Sequence, residues 1–385
     1  MRIGFDASML GRGGGIPRYA ECLLAALARL AAGHSLVLWC GPPAECGLVR
    51  SLAPPGSRIV VPGPLARQLA RWGRLAWGNP LPIETFAGPV DIFHGPNYLL
   101  PAQRGRAALV ITVHDLSALR HPEWHPARRA LVHRTALRRT VRAVDHVITD
   151  TEAIRREVVA DLGAPPEKVS AIHPAPSEGF GPRAPAELKP ILDRWALSPG
   201  EYLLFAGAIE PRKNLIRLVE AVTTLQTRRR GTPPLILVGP PGWRNRESLD
   251  GAAEAAPGVR YLGYVSQEEL APLMAGSAAV AMPSLYEGFG LPVLEAMASG
   301  VPVVTSRGAA LEEVAGDAAV LVDPLEIEAI SAGIEKVLDD GALRADLVRR
   351  GLARAAQFSW ERTARQTFQV YERAVAFRRG ATGSR

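Results

Sequence analysis

Short runs of apolar, β-branched residues alternate along this chain with longer stretches in which apolar positions recur every three or four residues. The runs Arg2–Phe5, Ser35–Trp39, Asp91–Phe93, Ala108–Val113, His146–Thr149, Val169–His173, Tyr202–Ala206, Leu235–Val238, Val259–Leu262, Ala279–Met282, Val303–Thr305 and Ala319–Val322 predict strands. Many are apolar at nearly every position, as strands buried on both faces of a parallel sheet must be. Between them, Pro17–Leu30, Ala127–Val144, Leu215–Thr227, Gln267–Met274 and Pro292–Ala298 carry helical periodicity. The alternation predicts an α/β architecture with parallel sheets.

A chain of 385 residues is too long for one ordinary core and suggests two domains, at ~150 residues each. The stretch from His173 to Pro199 contains six prolines and interrupts any regular pattern, which predicts a linker between two α/β halves. The expected domains are 1–180 and 181–358, with a last element from 359 to 385. There Trp360, Ala364, Phe368, Tyr371 and Val375 fall at helical spacing behind Ser359, a suitable N-cap. Two doubly wound domains facing one another create a cleft at the carboxyl ends of their strands, the usual ligand position.

Composition narrows the class. Hydrophobic residues make up 47% and charged residues 22%, which is globular rather than disordered. Three cysteines, Cys22, Cys40 and Cys46, are odd in number and lack metal-ligand spacing, so no disulfide framework is expected and reduced thiols are. The start, Met1–Ser8, reads as a strand rather than a signal segment, and no run reaches the ~18 apolar residues of a membrane span. A cytoplasmic protein is expected.

The charge is uneven. Pro101–Arg142 holds nine Arg, no Lys and two acids, so this one segment carries the whole net charge of +7. The helix Ala127–Val144 sets Ala127, Ala130, Leu131, Leu137, Val141 and Val144 along one side, with Arg128, Arg138, Arg139 and Arg142 mostly elsewhere. Such a helix suits an anionic membrane surface or an ordinary arginine-rich protein surface. No aromatic stacking platform accompanies the arginines, so nucleic acid is not expected as a partner.

Three loops carry chemistry. Ser8–Tyr19 contains Gly13, Gly14 and Gly15 ahead of Pro17, so backbone amides at a helix start face whatever binds there. Its spacing fits neither a dinucleotide fingerprint nor a P-loop. In the second half, Glu210-Pro-Arg-Lys-Asn214 follows a buried strand, with Asn214 as a plausible N-cap. Arg212 and Lys213 beside a helix N-terminus make a diphosphate clamp. Then Pro283–Met297 runs from a strand through a Gly-containing loop into a helix opened by Pro292. It carries Glu287 and Glu295 eight positions apart, and the amides of Gly288, Phe289, Gly290 and Leu291. Two acids fit a glycosidase pair, but a carboxylate equally accepts two hydrogen bonds from the vicinal hydroxyls of a ribose or hexose.

With Gly13–Tyr19, Thr112-Val-His-Asp-Leu-Ser117, Pro122-Glu-Trp124, Asp145–Thr151 and the Glu287/Glu295 pair in the E-x7-E spacing, nearly the whole chain resembles glycosyltransferase family 4. That resemblance implies the GT-B fold of two Rossmann-like domains, with the C-terminal helix crossing back to the N-terminal one. It also implies a retaining, metal-independent transferase using a nucleoside-diphosphate sugar, with no cofactor. By the same resemblance, Lys213 with Arg212 neutralises the leaving group, Glu295 holds the ribose and Glu287 the transferred sugar. Gly14 and Gly15 approach the phosphates, Tyr264 and Val265 face the base, and His114 contacts the sugar near the reaction centre. His94, Asn97 and Asp115 are acceptor-side candidates.

Some members carry Arg directly after the glycine corresponding to Gly207; here Ala208 stands there, leaving Arg212 to share the phosphate load. No Asp-x-Asp occurs, which disfavours a metal-dependent single-domain transferase. The wording of the glycine and His114 loops is most like mannosyl- and rhamnosyl-transferring members, so GDP-mannose is the favoured donor. The implied acceptor is a lipid-linked or polysaccharide glycan at the inner leaflet. A soluble UDP-sugar synthase, a glycosidase and a non-catalytic sugar-nucleotide binder are the competing readings.

Overall fold

The structure, a computed structural model, describes residues 1–42, 46–72, 82–98, 100, 105–242, 256 and 258–383. The chain divides into two compact units, Met1–Pro174 with Ser359–Arg385, and Ala175–Phe358.

The first unit is built on seven strands: β1 (Arg2–Asp6), β2 (Ser35–Trp39), β3 (Arg58–Val60), β4 (Ile92–Gly95), β5 (Ala108–Val113), β6 (His146–Thr149) and β7 (Val169–Ala171). They lie in the order β3-β2-β1-β4-β5-β6-β7, and every pairing is parallel. The order reverses between β1 and β4, where Phe5 pairs with His94. A crevice opens at such a switch point, because successive crossovers leave in opposite directions. Twelve strands are legible in the residue pattern. β3 is not, since three residues at a sheet edge, none of them buried, leave too short a hydrophobic signature.

The second unit has six strands: β8 (Leu203–Ala206), β9 (Leu235–Val238), β10 (Val259–Gly263), β11 (Ala279–Met282), β12 (Val303–Ser306) and β13 (Val320–Val322). Their order, β10-β9-β8-β11-β12-β13, again reverses beside its first strand, between β8 and β11. β8, β9, β11 and β12 are buried at every residue, which explains their unbroken apolar runs.

The last helix, Trp360–Gly383, belongs to the first unit. Ser359 caps it, its Oγ accepting from the Arg362 amide at 3.2 Å. Trp360, Ala364, Tyr371 and Val375 are buried along one stripe. The Tyr371 hydroxyl reaches His94 Nδ1 at 2.6 Å, tying the chain's end to the switch-point strand.

Two expectations fail. Cys40 and Cys46 form a disulfide, with Cα atoms 6.0 Å apart. Cys40 follows β2 and Cys46 opens the helix Cys46–Leu52, six positions on; an odd cysteine count says nothing about so local a pairing. The basic helix is also not a uniform spiral. It runs Ala127–Val132, widens to a π turn over His133–Leu137, and resumes as Arg138–Ala143. The wide turn re-phases the buried stripe onto His133, Leu137, Thr140, Val141 and Val144. Leu131, expected on the apolar side, is 53% exposed. Arg104 of the basic segment lies outside the described residues.

Candidate active site

In the second unit, the loops leaving β8 and β11 meet at the switch point. The Leu285 amide donates to the Arg212 carbonyl at 2.7 Å, and Asn214 Nδ2 donates to the Pro283 and Pro324 carbonyls at 2.9 and 2.6 Å. Asn214 does stand at the helix start, in a left-handed conformation, but its side chain makes no cap; it stitches three loops instead. Gly290, at φ +95, starts the helix Leu291–Ala298. A Cβ there would lie 2.5 Å from Leu311 Cδ2, so only glycine permits the turn.

The charged groups of these loops form one cluster. Lys213 Nζ lies 2.5 Å from Glu287 Oε1, and Arg212 Nη1 lies 2.7 Å from Glu287 Oε2. Arg212 Nη1 also donates to the Tyr286 carbonyl at 3.2 Å, and its Nε to Glu210 Oε2 at 2.9 Å. Burial alone would raise the Glu287 carboxyl, but the two cations overcome it and bring it down to about 2. Burial pulls the Lys213 ammonium down, against the pull of Glu287, and keeps it below its usual range. Two cations and two carboxylates thus hold each other where an incoming anion can exchange for one partner. The Glu210 carboxylate carried no signal in the sequence beyond its place two residues before Arg212.

Glu295 projects from the second turn of the helix Leu291–Ala298, is fully buried, and accepts from Ser177 Oγ at 3.1 Å. The eight-residue spacing therefore separates two environments: Glu287 in the cation cluster, Glu295 behind the helix start. Phe289 is buried, its ring edge-on to Phe358, so it supports the loop from below. Gly288 is buried and Leu291 half-buried. After β10, Val265 is buried, whereas Tyr264 is 62% exposed and open to a flat ligand.

In the first unit, Gly14 precedes the helix Gly15–Leu30, and nothing among the described residues lies within 4 Å of a Cβ built on Gly15. His114 follows β5. Its Nδ1 lies 2.7 Å from Asp150 Oδ2 and its Nε2 2.9 Å from the Pro96 carbonyl oxygen. Burial pushes the His114 ring down, but Asp150, the Pro96 carbonyl and Asp115 together outweigh it and hold the ring above its usual value. Asp115 accepts from the amide and hydroxyl of Ser117 at 2.9 and 2.7 Å. Asn97 is half-buried and receives the Tyr98 amide at 2.7 Å.

His94, an acceptor-side candidate in the sequence, is fully buried. Its Nδ1 meets Tyr371 Oη and its Nε2 meets Thr112 Oγ1 at 3.0 Å. Burial drives it down to about 3, so it is neutral and braces β4 against β5 and the last helix rather than meeting a glycan. Among the described residues no group of three or more His, Cys, Asp or Glu is placed to hold a metal ion, and no helix is long and apolar enough to cross a membrane.

Two Rossmann-like parallel sheets, one with a Lys-Arg-Glu cluster and a glycine-started helix at its switch point, define a GT-B nucleotide-sugar transferase fold. Residues 13–175 match the family Glycosyltransferase Family 4, and residues 194–354 match Glycosyl transferases group 1. The chain is 40% identical to O-antigen chain mannosyltransferase B of Escherichia coli, over 73% of this chain and 74% of that one. It belongs to glycosyltransferase family 4 and is a glycosyltransferase. Among solved structures, Anabaena HepE in complex with UDP and glucose superposes with a TM-score of 0.73 at 18% identity, covering 97% of this chain and 99% of that one. WaaG, a glycosyltransferase involved in lipopolysaccharide biosynthesis, gives 0.69 at 17% identity, covering 97% and 99%. These two likenesses concern the fold.

Proposed function

We propose that this enzyme transfers mannose from GDP-mannose to a lipid-linked or polysaccharide glycan in cell-surface glycan assembly, with retention of configuration. The observation that carries the reading is the pairing of Lys213 and Arg212 on Glu287, in a chain 40% identical to an O-antigen mannosyltransferase.

Departure of the nucleoside diphosphate leaves negative charge on the β-phosphate, and preorganised cations stabilise that charge most in the transition state. Lys213 and Arg212 supply it, with the amides from Gly288 to Leu291 at the helix start. Glu287, released from part of its ion pairing, accepts hydroxyls of the transferred sugar; Glu295 accepts the two ribose hydroxyls. Tyr264 and Val265 take the base, Gly14 and Gly15 approach the phosphates, and His114 lies near the reacting carbon. The bond from anomeric carbon to phosphate oxygen breaks. An acceptor hydroxyl bonds that carbon from the same face and passes its proton to the departing phosphate. No metal takes part.

The acceptor would be reached at the inner face of a membrane. Arg134, Arg138 and Arg142 are exposed along the basic helix, and Leu131 stands among them, which suits peripheral docking to anionic lipid. The direct test is a thermal-shift panel of UDP, GDP, ADP and TDP, followed by donor consumption with the matching sugar nucleotides. GDP should raise the melting temperature most. A flat response to all four would overturn the reading.

A further inference from the structure

The reading of His114 as the group near the transferred sugar leaves its charge open, and its neighbours decide it. β5 and β6 run parallel with Val113 opposite Thr149, so one step beyond the pairing His114 and Asp150 emerge side by side. Asp150 Oδ2 sits 2.7 Å from Nδ1, and the Pro96 carbonyl oxygen 2.9 Å from Nε2. A carboxylate and a peptide carbonyl only accept hydrogen bonds. A neutral imidazole has one N–H, so one ring nitrogen would point its lone pair at an oxygen. Moving a proton onto Asp150 would relieve this, but a carboxylate is the weaker base of the two. The side chains are 11% and 6% exposed, and no hydrogen-bond partner reaches the buried Asp150 Oδ1 among the described residues. Little water or other charge competes for the pair.

From this geometry we infer that Asp150 is a positioning residue that fixes His114 as an imidazolium, so that His114 serves the transfer as an immobile positive charge for the oxygen of the departing phosphate, which gathers negative charge as its bond to the reacting carbon breaks, and not as a proton acceptor. The inference rests on the proposed role of His114 beside the sugar and deepens it. With both N–H bonds committed, His114 has no lone pair for the acceptor's proton, which leaves the departing phosphate to take it. The other groups facing the ring agree. Asp115 adds negative charge from the same loop. His94, from β4, is neutral. Tyr19, from the first helix, packs its ring edge-on at 4.7 Å, and burial keeps its phenol protonated.

The test reads the ring directly. Nitrogen NMR of the ligand-free protein, with His114 assigned by its disappearance in His114→Gln, should show both ring nitrogens protonated at pH 7. In Asp150→Asn the ring should titrate at lower pH, turnover should fall on the order of 100-fold, and the alkaline limb of the kcat profile should move down with it. Asp150→Glu should restore part of the turnover and of the limb. A neutral wild-type ring at pH 7, or lost turnover in Asp150→Asn with an unmoved alkaline limb, overturns the inference. The ring measurement needs no donor, so the two failures are distinguishable: a protein that binds no nucleotide yet holds a protonated His114 sinks the donor reading and leaves only the charge of the ring and its cause, Asp150, standing.

Discussion

Lys213 and Glu287, 74 residues apart in the chain, are joined by a 2.5 Å hydrogen bond between buried side chains. Removing one member of a buried ion pair leaves the other uncompensated. Lys213→Met, which keeps the volume, should therefore lower the melting temperature and reduce kcat by about 10²–10³-fold. Arg212→Lys should also be costly, because an ammonium cannot reach Glu210, Glu287 and the Tyr286 carbonyl together as the guanidinium does. Steady-state kinetics and thermal melts check both; full activity in Lys213→Met would remove the cluster from the mechanism.

Glu295 should act on the nucleotide rather than on the sugar. Wild-type protein should bind a nucleoside diphosphate about 10- to 100-fold more tightly than its 2′,3′-dideoxy counterpart, the worth of hydrogen bonds to a charged group. Glu295→Gln, which retains the bond from Ser177, should narrow that ratio. Calorimetric titration of the two ligands reads it, and an unchanged ratio would place the ribose elsewhere.

Stability should depend on pH at both ends, for opposite reasons. His94 falls to about 3 in the fold from an ordinary 6.5, and Glu287 to about 2 from 4.5. Their contributions are present above the ordinary values and are lost as pH falls through the folded ones, because the unfolded chain binds the protons first. His114 is raised, so its contribution is complete below 6.5 and is lost as pH rises through the folded value. Melting temperature should decline from pH 6.5 toward pH 4, less steeply in His94→Gln, and should soften again on the alkaline side.

Activity should survive EDTA. The clamp proposed for the diphosphate is made of side-chain cations and amides, which a chelator leaves in place. Loss of turnover restored by a divalent cation would refute metal independence.

Binding to liposomes should require anionic lipid and fall with salt, since the docking proposed above is electrostatic and made by Arg134, Arg138 and Arg142. Replacing the three with Gln should abolish sedimentation with anionic vesicles while leaving transfer to a soluble acceptor analogue intact. Equal sedimentation with neutral and anionic vesicles would count against the docking.

Much of this protein was determined by the sequence alone. Apolar runs name twelve of the thirteen strands, most plainly those such as β5, β8 and β11 that are buried at every residue and so carry no solvent-facing polar position. Cations before one helix and a Gly-containing loop before another mark the anion site proposed above, because backbone amides and dipoles at helix starts follow from local chain geometry. The tertiary structure decided what pairs with what. Parallel register set Asp150 beside His114, and Arg212 was brought onto Glu210 as well as Glu287. Packing by the last helix enclosed His94, and Cys40 was bonded to Cys46. None of these is periodic or local. A side chain's charge and its availability to a ligand depend on neighbours that only the folded sheets supply.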